Sequence, residues 1–378
     1  MKRRLLALPL LACFLLALVL GSQPGAAKPL PRVPKGFFGI VPQTPLGAED
    51  FAYMKAGGIE SIRLTLPWAG VQPKRNGPYQ WEGFDIALEA AVQSGLRVLP
   101  SIGSPPRWAA RKETTMPVAP KQRRAWEKFL RAAVARYGPG GRFWDERAIG
   151  TGGIGPSYEP ESVIARPIPI REWQIWNESN FFYFAYPVSP AKYAKLVTAS
   201  SKAIKSVDRK AKVILAGLFA EPTARGKKGM PATTYLQRLY NIPGFKTRFD
   251  GFDLHPYAVD AKDLERMIEE FTEVARENRD RPALYLTELG WGSENNFEEV
   301  AFEQGIRGQV RQLKASYAYL MENARRLNLK SAYWFSWKDL PESCTFCDSV
   351  GFFRAGPAFK AKPAWHAFVR LTGGRARP

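Results

Sequence analysis

Two glutamates stand at the ends of otherwise apolar runs, Glu178 in "EWQIWNESN" (172–180) and Glu288 in "LYLTELGWGS" (284–293). A carboxylate at the end of a buried strand is costly, so it is either paired or used. One alone reads best as half of a structural ion pair. Two at matching depth on different strands suit a reaction with an acid on one side of a bond and a base or nucleophile on the other. Cleavage of a glycosidic bond is the chemistry that asks for this pair. It works only if the surroundings drive the two pKa values apart, leaving one carboxyl neutral and the other ionised. Trp176 and Trp291 stand close by in sequence, either as apolar walls and a stacking face for a sugar or as ordinary core tryptophans.

The elements that must position these groups are legible as an alternation. Short apolar and β-branched runs recur at 36–41, 59–66, 96–102, 172–178, 212–218, 249–255, 283–289 and 331–337. Between them, 84–95, 123–138, 190–207, 261–279 and 307–328 carry apolar residues at three- and four-residue spacing with charge in between. Eight strands alternating with helices predict an α/β fold, a (β/α)8 TIM barrel forming one catalytic domain over 28–378. The Gly- and Pro-rich segment 139–170 lacks periodicity and reads as a long surface excursion before the fourth strand. Catalytic groups of such barrels project from the C-terminal strand ends, which places Glu178 after strand four and Glu288 after strand seven on one face.

The N-terminus carries Lys2, Arg3 and Arg4, an apolar run to Leu20, and small residues to Ala27. That is the build of a secretory signal peptide over 1–27, and the expected location is secreted or cell envelope. An uncleaved anchor and a lipoprotein signal ending at Cys13 are weaker readings, the second because the apolar run continues past the cysteine. The formal net charge is +20, and loss of 1–27 removes three bases and no acid, so the chain stays strongly basic. No long Lys/Arg run concentrates the charge, so a bias spread over the surface is the plainer account, and attraction to an anionic polysaccharide the functional one. Nothing beyond charge points to nucleic acid, and no stable protein partner is implied. Cys344 and Cys347 in "CTFC" are expected to close a small disulfide loop in an exported chain. A redox role would want an early strand-to-helix setting, and a zinc site more ligands than two histidines allow.

With these residues in order, the chain resembles the clan A glycoside hydrolases, retaining (β/α)8 barrels, from "GFFGI" to "KPAWHAFVRL". In that clan an Asn-Glu dipeptide after strand four supplies the acid/base and a glutamate after strand seven the nucleophile. The resemblance implies that Glu178 is the acid/base and Glu288 the nucleophile. It further implies that Asn177 binds the sugar 2-hydroxyl and that Arg63, in "IRLTLPW", lies below the nucleophile and keeps it ionised. His255 and Tyr257 in "DLHPYA" match a pair that contacts the nucleophile and sugar, and Trp337 matches an aromatic platform under the sugar. Trp291 joins them as a supporting aromatic. The third strand ends in "SIGSPPRW" without the histidine of many cellulase-like members, so the chain looks nearer to family 39 than to family 5. No cofactor and no metal is required.

The expected enzyme is a glycosidase acting on an oligo- or polysaccharide, with β-linked bonds and retained configuration. A transglycosylase would use the same covalent intermediate. A catalytically silent carbohydrate-binding barrel is the reading from another class, and it would have no use for two poised carboxylates. Trp68, Trp108, Tyr183 and Tyr186 are either sugar-subsite residues or packing residues. The aromatic segment "SNFFYFAYP" (179–187) is predicted to form one wall of the cleft.

Overall fold

The computed structural model describes residues 31–148, 164, 166–296, 298, 300–342, 344 and 347–378. The expected signal peptide (1–27) and half of the excursion before strand four (149–163 and 165) lie outside these residues. Val33–Pro378 forms one compact unit. Its wall is a closed barrel of eight strands in chain order. They are β1 (Phe38–Val41), β2 (Ser61–Pro67), β3 (Arg97–Gly103), β4 (Glu172–Ile175), β5 (Lys212–Phe219), β6 (Gly251–His255), β7 (Ala283–Leu289) and β8 (Leu329–Phe335). Every neighbouring pair is parallel, and β8 closes onto β1 from Phe38 opposite Ala332 to Val41 opposite Phe335. The (β/α)8 barrel expected from the alternation is the fold observed.

Both faces of these strands are covered, by helices outside and by packed side chains within, so β1 and β6 are buried at every residue. The helices are α1 (Ala48–Ala56), α2 (Trp68–Val71), α3 (Glu82–Gln93), α4 (Pro120–Tyr137), α5 (Arg142–Ala148), α6 (Pro190–Val207), α7 (Ala232–Tyr240), α8 (Ala261–Glu277), α9 (Gly305–Asn323) and α10 (Pro363–Thr372). Their starts follow local chemistry. Ser189 caps α6 by accepting from the Lys192 amide at 3.3 Å, with Pro190 in the first turn, and Asp260 caps α8 by accepting from Asp263 at 2.8 Å. Along α8, Leu264, Met267, Ile268, Phe271 and Ala275 are buried at helical spacing, each large one contributing roughly 1.5–3 kcal/mol. The five longest helices are those the periodicity predicted. The others have ten residues or fewer, too short to show a period. Helix α5 lies in the segment expected to be irregular.

Three local irregularities decide what faces the barrel interior. Strand β4 ends at Ile175, so Trp176, Asn177 and Glu178 lie beyond it. The β5–β6 register slips between Ile214 and Gly217, and on the other edge of β5 Tyr193 of α6 bridges to the end of β4, donating to the Ile175 carbonyl at 2.9 Å and accepting from the Ala216 amide at 2.5 Å. The β7–β8 register slips between Leu286 and Leu289. Strict alternation would point Thr287 inward and Glu288 outward; the extra residue lets both turn into the barrel.

Candidate active site

The approach to Glu178 is an unusual stretch of backbone. Trp176 and Glu178 both have positive φ, 76° and 35°, a left-handed conformation costing a non-glycine residue about 1–3 kcal/mol. Three bonds hold it: the Trp176 amide to the Ile102 carbonyl at 2.8 Å, the Trp176 indole to the Phe184 carbonyl at 2.8 Å, and the Glu178 amide to the Gly217 carbonyl at 3.1 Å. Gly217 is required for another reason. A Cβ there would lie 1.9 Å from His255 Nε2, so only glycine lets the imidazole pass over β5.

Arg63 organises the mouth of the barrel through all three of its nitrogens. Nε donates to Gln174 Oε1 at 2.7 Å, Nη1 to Glu288 Oε1 at 2.5 Å, and Nη2 to Asn177 Oδ1 at 2.7 Å. The bond to Asn177 fixes that amide, directing its NH2 away from Arg63. Tyr257 donates to the other oxygen of Glu288 at 2.7 Å. Both carboxylates are almost fully buried, Glu178 at 5% exposure and Glu288 at 7%.

A second chain of hydrogen bonds runs to Glu178. Buried Asp253 accepts from the Thr287 amide at 3.0 Å, from the Thr287 hydroxyl and from Gln174. The Thr287 hydroxyl has one proton and gives it to Asp253, so its oxygen accepts from His255 Nε2–H at 3.0 Å. His255 Nδ1 lies 2.8 Å from Glu178 Oε1. One proton is therefore shared between Nδ1 and Glu178, whichever atom carries it. Gln174, Asp253 and Thr287 were not singled out from sequence. Their signal was a polar residue within a strand that is otherwise apolar.

The electrostatics separate the two glutamates. Burial pushes the Glu178 carboxyl above the usual range, reinforced by the negative charge of Glu288 and only partly opposed by His255 and Arg63. Burial acts on Glu288 in the same sense, but the positive charges of His255 and Arg63 and the bonds from Tyr257 and Arg63 outweigh it, and its pKa is lowered. Burial would lower His255, yet Glu288 and Glu178 together raise it. Burial holds Asp253 up at about 6, and Tyr257 well above its ordinary value, which keeps the phenol a donor. Ligand atoms of Glu178, His255 and Glu288 lie within 4.8 Å of one another, close enough to hold a metal ion. The Arg63 guanidinium on the same Glu288 carboxylate works against a second cation there.

The geometry thus brings together Arg63, Asn177, Glu178, His255, Tyr257 and Glu288. Two expected members stand elsewhere. Trp337 lies beyond the end of β8, is fully buried, donates its indole N–H to Asp50 at 2.7 Å and packs on Phe353 and Trp365. It is a wedge between barrel and helices, not a platform: it lies two residues past the end of β8, where strand alternation no longer sets its side, and the inward aromatic there is Phe335, edge-on to the Tyr257 ring at 6.1 Å. Trp291 is also fully buried, donating to the Ala258 carbonyl at 2.8 Å. Trp176 and Trp68 are core residues, whereas Trp108 is half-buried, bonded to the Gln72 carbonyl at 3.0 Å. Tyr183 and Tyr186 are exposed. Cys344 and Cys347 form the expected disulfide.

Residues 43–133, which include Arg63, match the family model of glycoside hydrolase family 42, described as beta-galactosidase. Among solved structures, the chain is similar to a family 39 glycoside hydrolase from the gut symbiont Bacteroides cellulosilyticus WH2. The TM-score is 0.64 at 18% identity over 91% of this chain and 65% of that one. The fold is that of the clan A glycoside hydrolases. A glucosidase from Croceicoccus marinus matches with TM-score 0.63 and 14% identity, over 91% of this chain and 68% of that one. A monomeric beta-xylosidase from Caulobacter crescentus CB15 matches with TM-score 0.58 and 18% identity, over 92% and 70%. This chain spans just under two thirds of the family 39 structure it matches. No curated protein matches it. At these identities the clan A barrels share the fold, and what this barrel does must come from its own site.

Proposed function

We propose that the protein is a retaining glycoside hydrolase acting on β-linked bonds of an extracellular or cell-envelope oligo- or polysaccharide. The observation that carries this is the buried carboxylate pair. An oxygen of Glu178 and one of Glu288 lie within 4.8 Å of each other, and their pKa values are displaced in opposite directions. Carboxyl groups roughly 5–5.5 Å apart suit attack by one of them on the sugar, whereas inverting sites leave about 6.5–9.5 Å for a water.

In the first step Glu288, held ionised by Arg63 and Tyr257, attacks the anomeric carbon. The bond to the leaving oxygen breaks as Glu178 gives that oxygen its proton. In the second, Glu178 takes a proton from water as the water oxygen attacks the same carbon and the bond to Glu288 breaks. Two inversions leave the configuration unchanged. Before its transfer to the leaving oxygen, the acid proton is the one Glu178 Oε1 shares with His255 Nδ1, and the NH2 of Asn177 is turned to donate to the sugar 2-hydroxyl. The beta-galactosidase description of the matching family and the beta-xylosidase among the structural relatives support a β-linkage. The signal-like N-terminus supports export, and the basic surface supports an anionic substrate.

The test is mass spectrometry of the intact protein after exposure to a panel of 2-deoxy-2-fluoro glycosyl fluorides, which trap the covalent intermediate. Label on Glu288 is the expected outcome, and the sugar that labels names the glycone. Label on another residue, or turnover of a substrate with inverted product, sinks the proposal.

A further inference from the structure

The three exposed aromatic side chains among the described residues all fall within four positions of one loop, Tyr183 at 65% exposure, Phe184 at 40% and Tyr186 at 49%. That loop, after β4, is not loose. It is bound to the loop after β5 by the Phe182 amide to the Lys228 carbonyl at 2.9 Å, the Val188 amide to Lys227 at 3.0 Å, and the Met230 amide to Asn180 at 3.1 Å. The Tyr186 amide bonds the Thr114 carbonyl of the loop after β3 at 3.0 Å. Three neighbouring loops therefore form one braced rim.

The rim is continuous with the catalytic pair. Tyr257, which holds Glu288, lies 5.9 Å from the Phe219 ring; Phe219 stacks on Phe181 at 5.3 Å, and Phe181 meets Tyr183 at 5.0 Å. The rim is also predominantly basic. The flanking loops, 104–118 and 220–231, carry Arg107, Arg111, Lys112, Arg225, Lys227 and Lys228, all exposed, against Glu113 and Glu221. Glu221 is already paired with Arg266 at 3.1 Å. Exposed rings on a rigid ribbon offer flat apolar faces to the C–H faces of sugars, and cations interleaved with them favour a negatively charged chain.

We infer that the rim made by the loops after β3, β4 and β5 is a binding site for an anionic glycan chain, carboxylated or sulfated, on the leaving-group side of the scissile bond. The side assignment rests on the hydrolase proposal: the acid must reach the departing oxygen, so the chain beyond it lies over Glu178 and the loop that follows. Tyr183 supplies stacking that neutral and acidic chains share. Arg225, Lys227 and Lys228 supply the preference for charge.

Calorimetry on the full chain carrying Glu288→Gln tests this. Hexamers of mannuronic and galacturonic acid and a sulfated hexasaccharide are compared with neutral mannohexaose and xylohexaose, and with a thymidine hexanucleotide. One acidic chain is expected to bind at least about tenfold more tightly than the neutral ones, the advantage collapsing as salt rises from about 0.05 to 0.5 M. Whether carboxylate or sulfate chains lead identifies the source of the charge. Lys227→Gln with Lys228→Gln should remove most of that advantage and spare neutral chains, while Tyr183→Ala should weaken both alike. Equal affinity for acidic and neutral chains, no binding of any acidic chain, or strongest binding of the hexanucleotide overturns the inference. Trapping of the wild-type protein at Glu288 without an acidic preference would leave the hydrolase proposal standing and this one fallen. Acidic binding without any trapping or turnover would do the reverse and free the rim from its side assignment.

Discussion

Replacing Tyr257 by Phe removes one hydroxyl and almost nothing else, because the ring is buried and Phe fills the same space. Glu288 receives two short hydrogen bonds, from Arg63 at 2.5 Å and Tyr257 at 2.7 Å, while His255 stands farther off at 3.6 Å. A hydrogen bond to a charged group contributes about 1.5–3 kcal/mol, and one pKa unit corresponds to about 1.36 kcal/mol. With Glu288 buried, water replaces the lost donor poorly. The carboxyl should therefore rise, still restrained by Arg63, and the lost bond corresponds to about a tenfold or larger loss of kcat/KM on the acid limb. The sign follows from the role. A nucleophile must be ionised, so the acid limb of the kcat/KM profile moves to higher pH, and the loss is large at low pH and small on the plateau. Stability moves in the same sense. A carboxyl depressed in the fold stabilises it above the unfolded carboxylate range, and that contribution is lost as pH falls through the folded value, so Tyr257→Phe should lose it at a higher pH. The assay is a pH–rate profile on an aryl glycoside of the sugar that labels Glu288. A uniform loss across pH with an unmoved acid limb would refute the reasoning and place the phenol on the sugar instead of the nucleophile.

Other expected outcomes follow from the same geometry. Glu178→Ala should cut turnover of poor leaving groups by about 10²–10⁴-fold, and added azide should restore part of it with a glycosyl azide of retained configuration as product; no azide product means that Glu178 is not the acid/base. Gly217→Ala drives a methyl into His255 Nε2, so activity should fall about a hundredfold or more through misplacement of the imidazole; near-normal kcat/KM would show that His255 is not needed where it stands. Trp337→Phe breaks the indole bond to Asp50 and should cost about 1–3 kcal/mol in denaturant unfolding, with KM for the labelled sugar unchanged. A rise in KM without loss of stability would return Trp337 to the sugar.

The order of eight strands, the depth of Glu178 and Glu288, and the membership of Arg63, Asn177, His255 and Tyr257 in one site were legible in the sequence. Burial on both sides of a parallel barrel forces apolar runs, and a carboxylate that interrupts one stands out against them. Gln174, Asp253 and Thr287 were less legible because one polar residue inside a strand looks the same whether it meets water, a neighbour or a charge network. Trp337 and Trp291 were misplaced for a related reason. Composition shows a large aromatic near a strand end but not on which side of the barrel it lies, and both tryptophans stand two residues past the last strand residue, where alternation no longer sets the side. The sequence by itself determined the kind of fold and which residues could react. Only the tertiary structure decided their environment: an irregular register turning Glu288 inward, a left-handed turn delivering Glu178, and Arg63 set against one carboxylate and His255 against the other. The Arg63 contacts join residues more than a hundred positions apart in the chain and the His255 contact residues 77 apart, and pKa depends on the distance between charges in space, which the spacing along a chain does not contain.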